Sequence, residues 1–445
     1  MPQQHIAVVG SGIAGLSAAW LLSKSHKVTL FERERRIGGH TNTVNATTAD
    51  GPVPVDTGFI VFNETNYPNL TALFDHLKVA TAPAHMGFAV SLGEGRLEYN
   101  GEKLVGMFGQ KRNLLRLDHW RLVQDLVRFF HSAERDIVEM PADMTIAEFL
   151  HEGGYSQSFV ENHILPVSAA IWSTPSRGML SFPAHTFVKF FANHGLLKIV
   201  GRPAWRSVMG GSQEYVSRIL ADTRMDVRQG VDIKAIRRHT NGVEIVDEQG
   251  ISQSFDEVVL ACHADQALKL LDDASIKERN VLSAFRFSKN RAVLHTDSSF
   301  MPKRRHLWCA WNYLRPDVER DDALSVTYWM NRLQPLPTRT DLFVTLNPYK
   351  EFAPGTVQYE TEYEHPLFDA AAIDAQSSFS RIQGVNRTWF AGAWLGYGFH
   401  EDGLQAGLEV AERIGLLERP WKVANARARI AHNWMQGEPA KWAAE

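Results

Sequence analysis

At 445 residues the chain is too long for a peptide hormone or a disulfide knot, and its length corresponds to two or three domains of about 100–200 residues each. Its 44% hydrophobic and 22% charged residues are those of a globular protein, and 47 basic against 50 acidic side chains leave a net charge of -3, so bulk attraction to nucleic acid is not expected. The two cysteines, Cys262 and Cys309, lack CxxC or Cys/His ligand spacing, which excludes a readable disulfide framework or zinc site and fits a reducing, cytoplasmic compartment.

The opening MPQQHIAVVG has no basic region with a cleavage site, and no apolar stretch reaches the ~18 residues of a membrane span. From His5 to Val9 a β-branched run stops at Gly10 and passes into a helical pattern at Ile13, Leu16, Ala19, Trp20 and Leu21. A second run, Val28 to Phe31, ends at Glu32, which completes a βαβ unit and predicts a doubly wound parallel sheet. Residues 110–130 predict one amphipathic helix in a capping region. Strand signals return at Val243–Val246, Glu257–Ala261 and Thr388–Ala391, while aromatic-rich runs between Ala292 and Leu346 predict a mostly antiparallel sheet. The expected fold is therefore α/β: a discontinuous Rossmann-like dinucleotide domain (1–75, 205–265 and 380–420) with an α+β substrate or capping domain (76–204 and 266–379). A helical tail is expected over 421–445.

Gly10-Ser11-Gly12-Ile13-Ala14-Gly15 sits where the strand becomes a helix. Glycine permits the tight turn at Gly10, backbone approach to a pyrophosphate at Gly12, and close helix–strand contact at Gly15. Glu32, followed by Arg33, stands at the end of the second strand, where a carboxylate can bind ribose hydroxyls. After Glu32 come Arg36, Gly38, Gly39 and His40, an E-x-x-x-R-x-G-G arrangement that resembles the flavin amine oxidase superfamily. The resemblance implies FAD, with Gly38 and Gly39 along its diphosphate and His40 where the superfamily usually has arginine. It also implies that the chain returns towards the isoalloxazine at Thr57, Gly58 and Phe59, beside Asp56, which either contributes there or caps the loop.

Asn386 to Ala393 resembles the superfamily's second flavin motif, with Gly392 at the ribityl phosphate region and Ala393 at the usual acidic position. Gly403 and Leu404 then open a helix near the flavin ring, whose N-terminal end favours negative charge. Val231 and the run from Glu257 to Ala261 resemble the middle flavin section, with Cys262 as a packing residue. Tyr397, His400 and Glu401, between the second motif and its helix, are the catalytic candidates. His400 is either an acid–base near neutral pH or a histidine held within a turn.

Longer strings narrow the resemblance. GGHTNTV, DTGFIVFNETNYPNL, IWSTPS, GRPAWRSVMGGSQEYV and GYGFHEDGLQAG are similar to bacterial FAD-dependent oxidoreductases associated with cyclopropane fatty acid synthase. They also resemble the N-terminal oxidoreductase region of plant cyclopropane synthases. The likeness spans Ile6 to Gly407 and implies oxidation of an unsaturated or methyl-branched fatty acyl chain of a phospholipid, with a cyclopropane-synthase-like methyltransferase as partner. A flavin amine oxidase and a flavin-bound lipid-handling scaffold are the alternatives. GxSxG, HExxH and Walker loops are missing, as is a second strand-linked GxGxxG that would form an NAD(P)H domain. Two stretches, Lys111 to Phe130 and Phe300 to Trp308, interleave basic and large apolar residues and are candidates for peripheral contact with the inner membrane surface.

Overall fold

A computed structural model describes residues 2–141, 143–172, 176–193, 195–198, 201–316 and 325–430. Five strands, β1 (His5–Val9), β2 (Lys27–Glu32), β3 (Asp226–Gln229), β4 (Glu257–Leu260) and β5 (Thr388–Phe390), form a sheet in the order β3-β2-β1-β4-β5. Every pairing in it is parallel. The β1 and β4 side chains are almost wholly buried, as the apolar runs require of strands covered on both faces. Helix α1 (Ile13–Leu22) is apolar around its whole circumference and all ten of its residues are buried. It packs against α4 (His400–Gly415), where a Cβ on Gly407 would stand 2.1 Å from the Ala14 carbonyl oxygen.

The expected strand at Val243–Val246 belongs elsewhere. It lies in a three-stranded antiparallel meander (Ile233–His239, Gly242–Asp247, Ser252–Phe255), and the sheet's outer position is taken by β3. Four residues of mixed polarity, DVRQ, suffice there because an edge strand is exposed along one side, so no apolar run marks it.

The second large sheet has seven strands in the order Val357–Leu367, Arg286–His295, Phe343–Leu346, Ser325–Trp329, Trp311–Arg315, Phe88–Leu92 and Leu97–Asn100. All pairings are antiparallel except that of Trp311–Arg315 with Phe88–Leu92. The helix expected over 110–130 is broken: Lys111–Leu115 is a 3-10 turn, Arg116 is extended, and α3 runs Leu117–Asp136, burying Leu122, Val123, Leu126 and Phe129. That spacing lays one apolar stripe on the cap core.

Two large cores result, one beneath the parallel sheet and one within the cap, with a small third cluster of Met301, Trp308 and Phe343. Leu271, Val281, Leu282 and Phe285 fall in the first, although the boundary at 265 assigns them to the cap; Ala46, Val53 and Val55 of the Thr43–Thr48/Gly51–Asp56 hairpin fall in the second. The chain does not continue as helix through 421–430, which is extended chain and turns beyond Pro420 and a left-handed Leu416. Arg419 and Arg427 clamp it to Glu412. Residues 431–445 of the expected tail lie outside the described residues. In the stretch Phe300–Trp308 the large apolar residues Phe300, Met301, Leu307 and Trp308 are buried, and Lys303, Arg304 and Arg305 pair with Glu94, Glu98 and Asp341. No helix among the described residues is long and apolar enough to cross a membrane.

Candidate active site

The turn from β1 into α1 is shaped by backbone contact. Gly10 has φ +102°, donates its N–H to Phe31 O at 2.8 Å, and lies where a Cβ would be 2.7 Å from Ala261 O. A Cβ on Gly15 would stand 1.9 Å from Gly10 O, so helix and turn touch there. Gly12 differs. It caps α1 in an extended conformation without a side-chain acceptor, and its Cβ would meet nothing within 4 Å. The first N–H groups of α1 and the positive end of its dipole thus open onto free space beside Gly12, Ile13 and Ala14, a built anion cradle.

Glu32 closes one side of this cradle. Its carboxylate accepts from Ser11 N at 2.9 Å, Ser11 Oγ at 2.5 Å and Glu34 N at 2.8 Å, and Ser11 Oγ accepts from Gly38 N at 3.1 Å. Arg33 is exposed at the rim and lies 3.7 Å from Glu34. Arg36 donates to Thr41 O and Gly39 O at 2.6 and 2.8 Å, so its guanidinium braces the Gly38-Gly39 loop. Gly39 lies against Gly12, whereas Gly38 turns towards Thr41 and does not line the cavity.

His40 stacks on Tyr363 with 5.0 Å between ring centroids, and its Nε2 is buried without a hydrogen-bond partner. Burial, with neighbouring His365, His263 and His400, holds its pKa well below the usual imidazole range. His40 therefore offers a directed hydrogen bond but no positive charge, unlike the arginine of the superfamily pattern. The α1 terminus must carry most of the compensation for a diphosphate. The orphaned Nε2, the open space at Gly12 and the engaged carboxylate of Glu32 form a donor and acceptor set that fits a bound dinucleotide.

These groups line one cavity of about 1130 Å³, above the ~300–1,000 Å³ usual for a single small ligand. Gly10, Gly12, Ile13, Ala14, Glu32, Arg33, Gly39, His40, Thr57, Gly58, Phe59, Val231, Ala261, Gly392 and Ala393 all line it, as do Tyr397 and His400. Gly15, Gly38, Gly403, Leu404 and Glu401 do not. A Cβ on Gly403 would press on Ile13 at 2.9 Å, and Leu404 is fully buried; both serve the contact of α4 with α1. Cys262 lines the cavity with its carbonyl accepting from Trp394 Nε1 at 3.1 Å, and burial pushes its thiol up to about 12. It is therefore a protonated packing residue.

Two of the three catalytic candidates change role. Glu401 is wholly buried and accepts from Asn69 N, Asn69 Nδ2, Leu70 N and Gln405 Nε2 at 3.1, 2.8, 3.0 and 2.9 Å. It anchors the first turn of α2 (Pro68–Leu77) and faces away from the cavity. His400 lines the cavity, but its Nε2 meets Thr41 Oγ1 at 3.1 Å and Tyr215 OH at 3.0 Å, while its ring stacks on Phe59. Burial pushes its pKa down to about 3, so it is a neutral positioning group rather than an acid–base near pH 7. Tyr397 remains in the wall as a neutral phenol, pushed up to about 12 by burial. Asp56 is a buried loop anchor accepting from Ser212, Thr43 and Gln334.

The site also contains residues that sequence reasoning missed. Tyr359, Thr361, Tyr363 and His365 line the cavity from one face of the strand Val357–Leu367. Tyr363 OH meets Thr57 Oγ1 at 2.7 Å and accepts from Asn42 Nδ2 at 2.9 Å. Their alternation in QYETEYEHP is the period of a strand, the signal that locates them.

A parallel Rossmann-like sheet assembled from three chain segments, a mixed-sheet cap and one cavity between them define the amine-oxidase-like fold. Residues 8–77 match the NAD(P)-binding Rossmann-like domain family. The crystal structure of a fatty acid isomerase producing CLA from P. acnes is similar over 93% of this chain and 98% of that one, with a TM-score of 0.66 and 16% identity. Cyclohexylamine oxidase from Brevibacterium oxydans IH-35A is similar over 93% and 100%, with a TM-score of 0.63 and 17% identity. At the level of sequence, an L-amino-acid oxidase of Bungarus fasciatus is 54% identical over 41 residues, 9% of this chain and only 8% of that protein.

Proposed function

We propose that the chain is an FAD-dependent oxidoreductase that dehydrogenates an unsaturated or methyl-branched fatty acyl chain. FAD would be held by the α1 terminus, Glu32, Gly39, His40, Gly58, Ala261 and Gly392, and when bound it supplies hydride acceptance. The observation that carries the substrate reading is the character of the cavity wall. Its cap side is lined by Val61, Met86, Phe88, Ile171, Phe190 and Leu346. Every carboxylate in the lining already faces a protein donor or cation: Glu32 Ser11, Glu34 Arg33, Asp232 Lys234, Asp265 Lys269, Glu362 Lys289 and Glu364 His263. Asp265 Oδ1 is the one buried carboxylate oxygen of the lining without a donor, and Lys269 already neutralises that carboxylate, which favours an acyl chain over an amine.

This chain's own residues bind, orient and exclude water. Tyr363, Thr57 and Asn42 form a hydrogen-bonded rung joining the cap strand to the loop before Phe59. Phe59 and His400 stack in the cavity wall, and Tyr215 behind them holds His400 through a hydrogen bond. Tyr397 presents the remaining phenol of the candidate set to the cavity. The test is to incubate the purified protein with lipid extracts from strains containing or lacking the methyltransferase, alongside a panel of amines, under anaerobic conditions. Bleaching of the flavin by acyl lipids with a product two hydrogens lighter supports the proposal; bleaching by amines alone, or by neither, overturns it.

A further inference from the structure

We propose that the surface formed by residues 103–121 docks on an anionic lipid bilayer. Thirteen large apolar side chains stand exposed among the described residues, and six of them, Leu104, Val105, Leu114, Leu115, Leu117 and Trp120, fall within this one segment. Leu115 is 88% exposed and Val105 80%. They form a single surface: Phe108 packs on Trp120 with 4.5 Å between ring centroids, Trp120 Nε1 donates to Leu114 O at 3.0 Å, and His119 Nε2 meets Met107 O at 2.7 Å. Behind them the opposite face of α3 is buried in the cap core, so the patch is held in place rather than loosely attached. Exposed apolar clusters of this kind mark interaction sites.

The charge on the patch selects the occupant. Lys103, Lys111, Arg112 and Arg121 are exposed, and no ion pair holds any of them among the described residues. The one acid in the segment, Asp118, is paired to Arg116 at 2.7 Å. A ring of unpaired cations around protruding leucines and a tryptophan complements anionic headgroups over acyl chains. A second copy of this chain would bring like charges together, which disfavours a symmetric dimer through this face. The patch also adjoins the cavity wall. Gly101 N donates to Phe88 O at 2.8 Å, and Met86, Gly87 and Phe88 line the cavity. A route for an acyl chain from bilayer to cavity rests on the proposed function; docking itself does not.

Cosedimentation of the holoprotein with vesicles tests the proposal without turnover, so failure of the oxidation reading leaves it standing. Binding is expected to vesicles of phosphatidylglycerol mixed with phosphatidylcholine, not to phosphatidylcholine alone, and is expected to fall steeply with salt. At about fivefold per cation, Lys111→Ala, Arg112→Ala and Arg121→Ala together should weaken it by on the order of 100-fold. Leu115→Ser with Leu117→Ser should weaken it at low salt, while Lys303→Ala with Arg305→Ala should leave it unchanged. Equal thermal melts and flavin content across the variants establish that each is folded. Absence of binding, equal binding by the cation variant, or a lipid-free dimer abolished by the leucine changes would overturn the assignment.

Discussion

The imidazole of His400 lies face to face with the ring of Phe59, 3.7 Å between centroids and 10° between planes, while its Nε2 reaches Thr41 and Tyr215. The pair joins the first turn of α4 to the loop that follows the strand Gly51–Asp56. Removing it should therefore loosen the fold before it changes any chemistry. His400→Ala is expected to destabilise the protein by about 2–4 kcal/mol, read by urea denaturation, from the lost packing and the unpaired Tyr215 hydroxyl. The oxidation rate of His400→Gln should show the same pH profile as the wild type between pH 6 and 8. A break near pH 6.5 that vanishes in His400→Gln would restore the acid–base role.

Gly12 and Gly15 separate a binding defect from a folding defect. A Cβ on Gly12 meets no protein atom and its φ of -64° is open to any residue, whereas a Cβ on Gly15 would be driven into the Gly10 carbonyl. Gly12→Val should yield folded, colourless protein because the new side chain occupies the place of a diphosphate. Gly15→Val should fail to accumulate as folded protein at all. Flavin absorbance and circular dichroism of the two purified variants decide the matter, and full flavin occupancy in Gly12→Val would exclude the mapping.

The βαβ opening and most of the cavity floor were legible in the sequence because a backbone cradle leaves glycines at fixed intervals and an apolar strand on each side. The role of Glu401 was not. Its carboxylate meets Asn69 and Leu70, more than 330 residues away along the chain, and only the folded neighbourhood distinguishes an anchor from an acid poised over substrate. For His400 the sequence left two roles open for a related reason, since residue type fixes only the unperturbed imidazole, and burial sets the rest. The edge strand Asp226–Gln229 escaped because an edge position asks for little hydrophobicity.

Glu401→Ala should act as a folding lesion. It strands two backbone N–H groups and two side-chain amides in a buried site, at a cost of about 3–5 kcal/mol, whereas Glu401→Gln keeps the shape and should cost less. Thermal melts of both variants should fall in that order. An unchanged melt in Glu401→Ala together with lost turnover would return Glu401 to the reaction.

Acidification should destabilise the protein below pH 7, and the sign follows from its buried histidines. Burial pushes His400 down to about 3 and His163, His295 and His365 down to about 4, from an unfolded value of 6.5. Between those limits the unfolded chain binds protons that the folded chain refuses, so stability rises with pH and is fully present only above about 6.5. Asp56 and Asp402 act in the opposite sense. Burial lifts both to about 6 from 3.8, so the folded state holds their protons and loses stability as pH rises from about 4 to 6. The four histidines outnumber the two aspartates over that window, and above pH 6 only the histidines still titrate. At about 1.4 kcal/mol per pH unit for each proton, the balance is a loss of a few kcal/mol on going from pH 7 to pH 5. Urea midpoints measured at pH 7, 6 and 5 should fall in that order, with part of the slope removed in His295→Gln; a midpoint that rises on acidification would contradict the neutral state of these histidines.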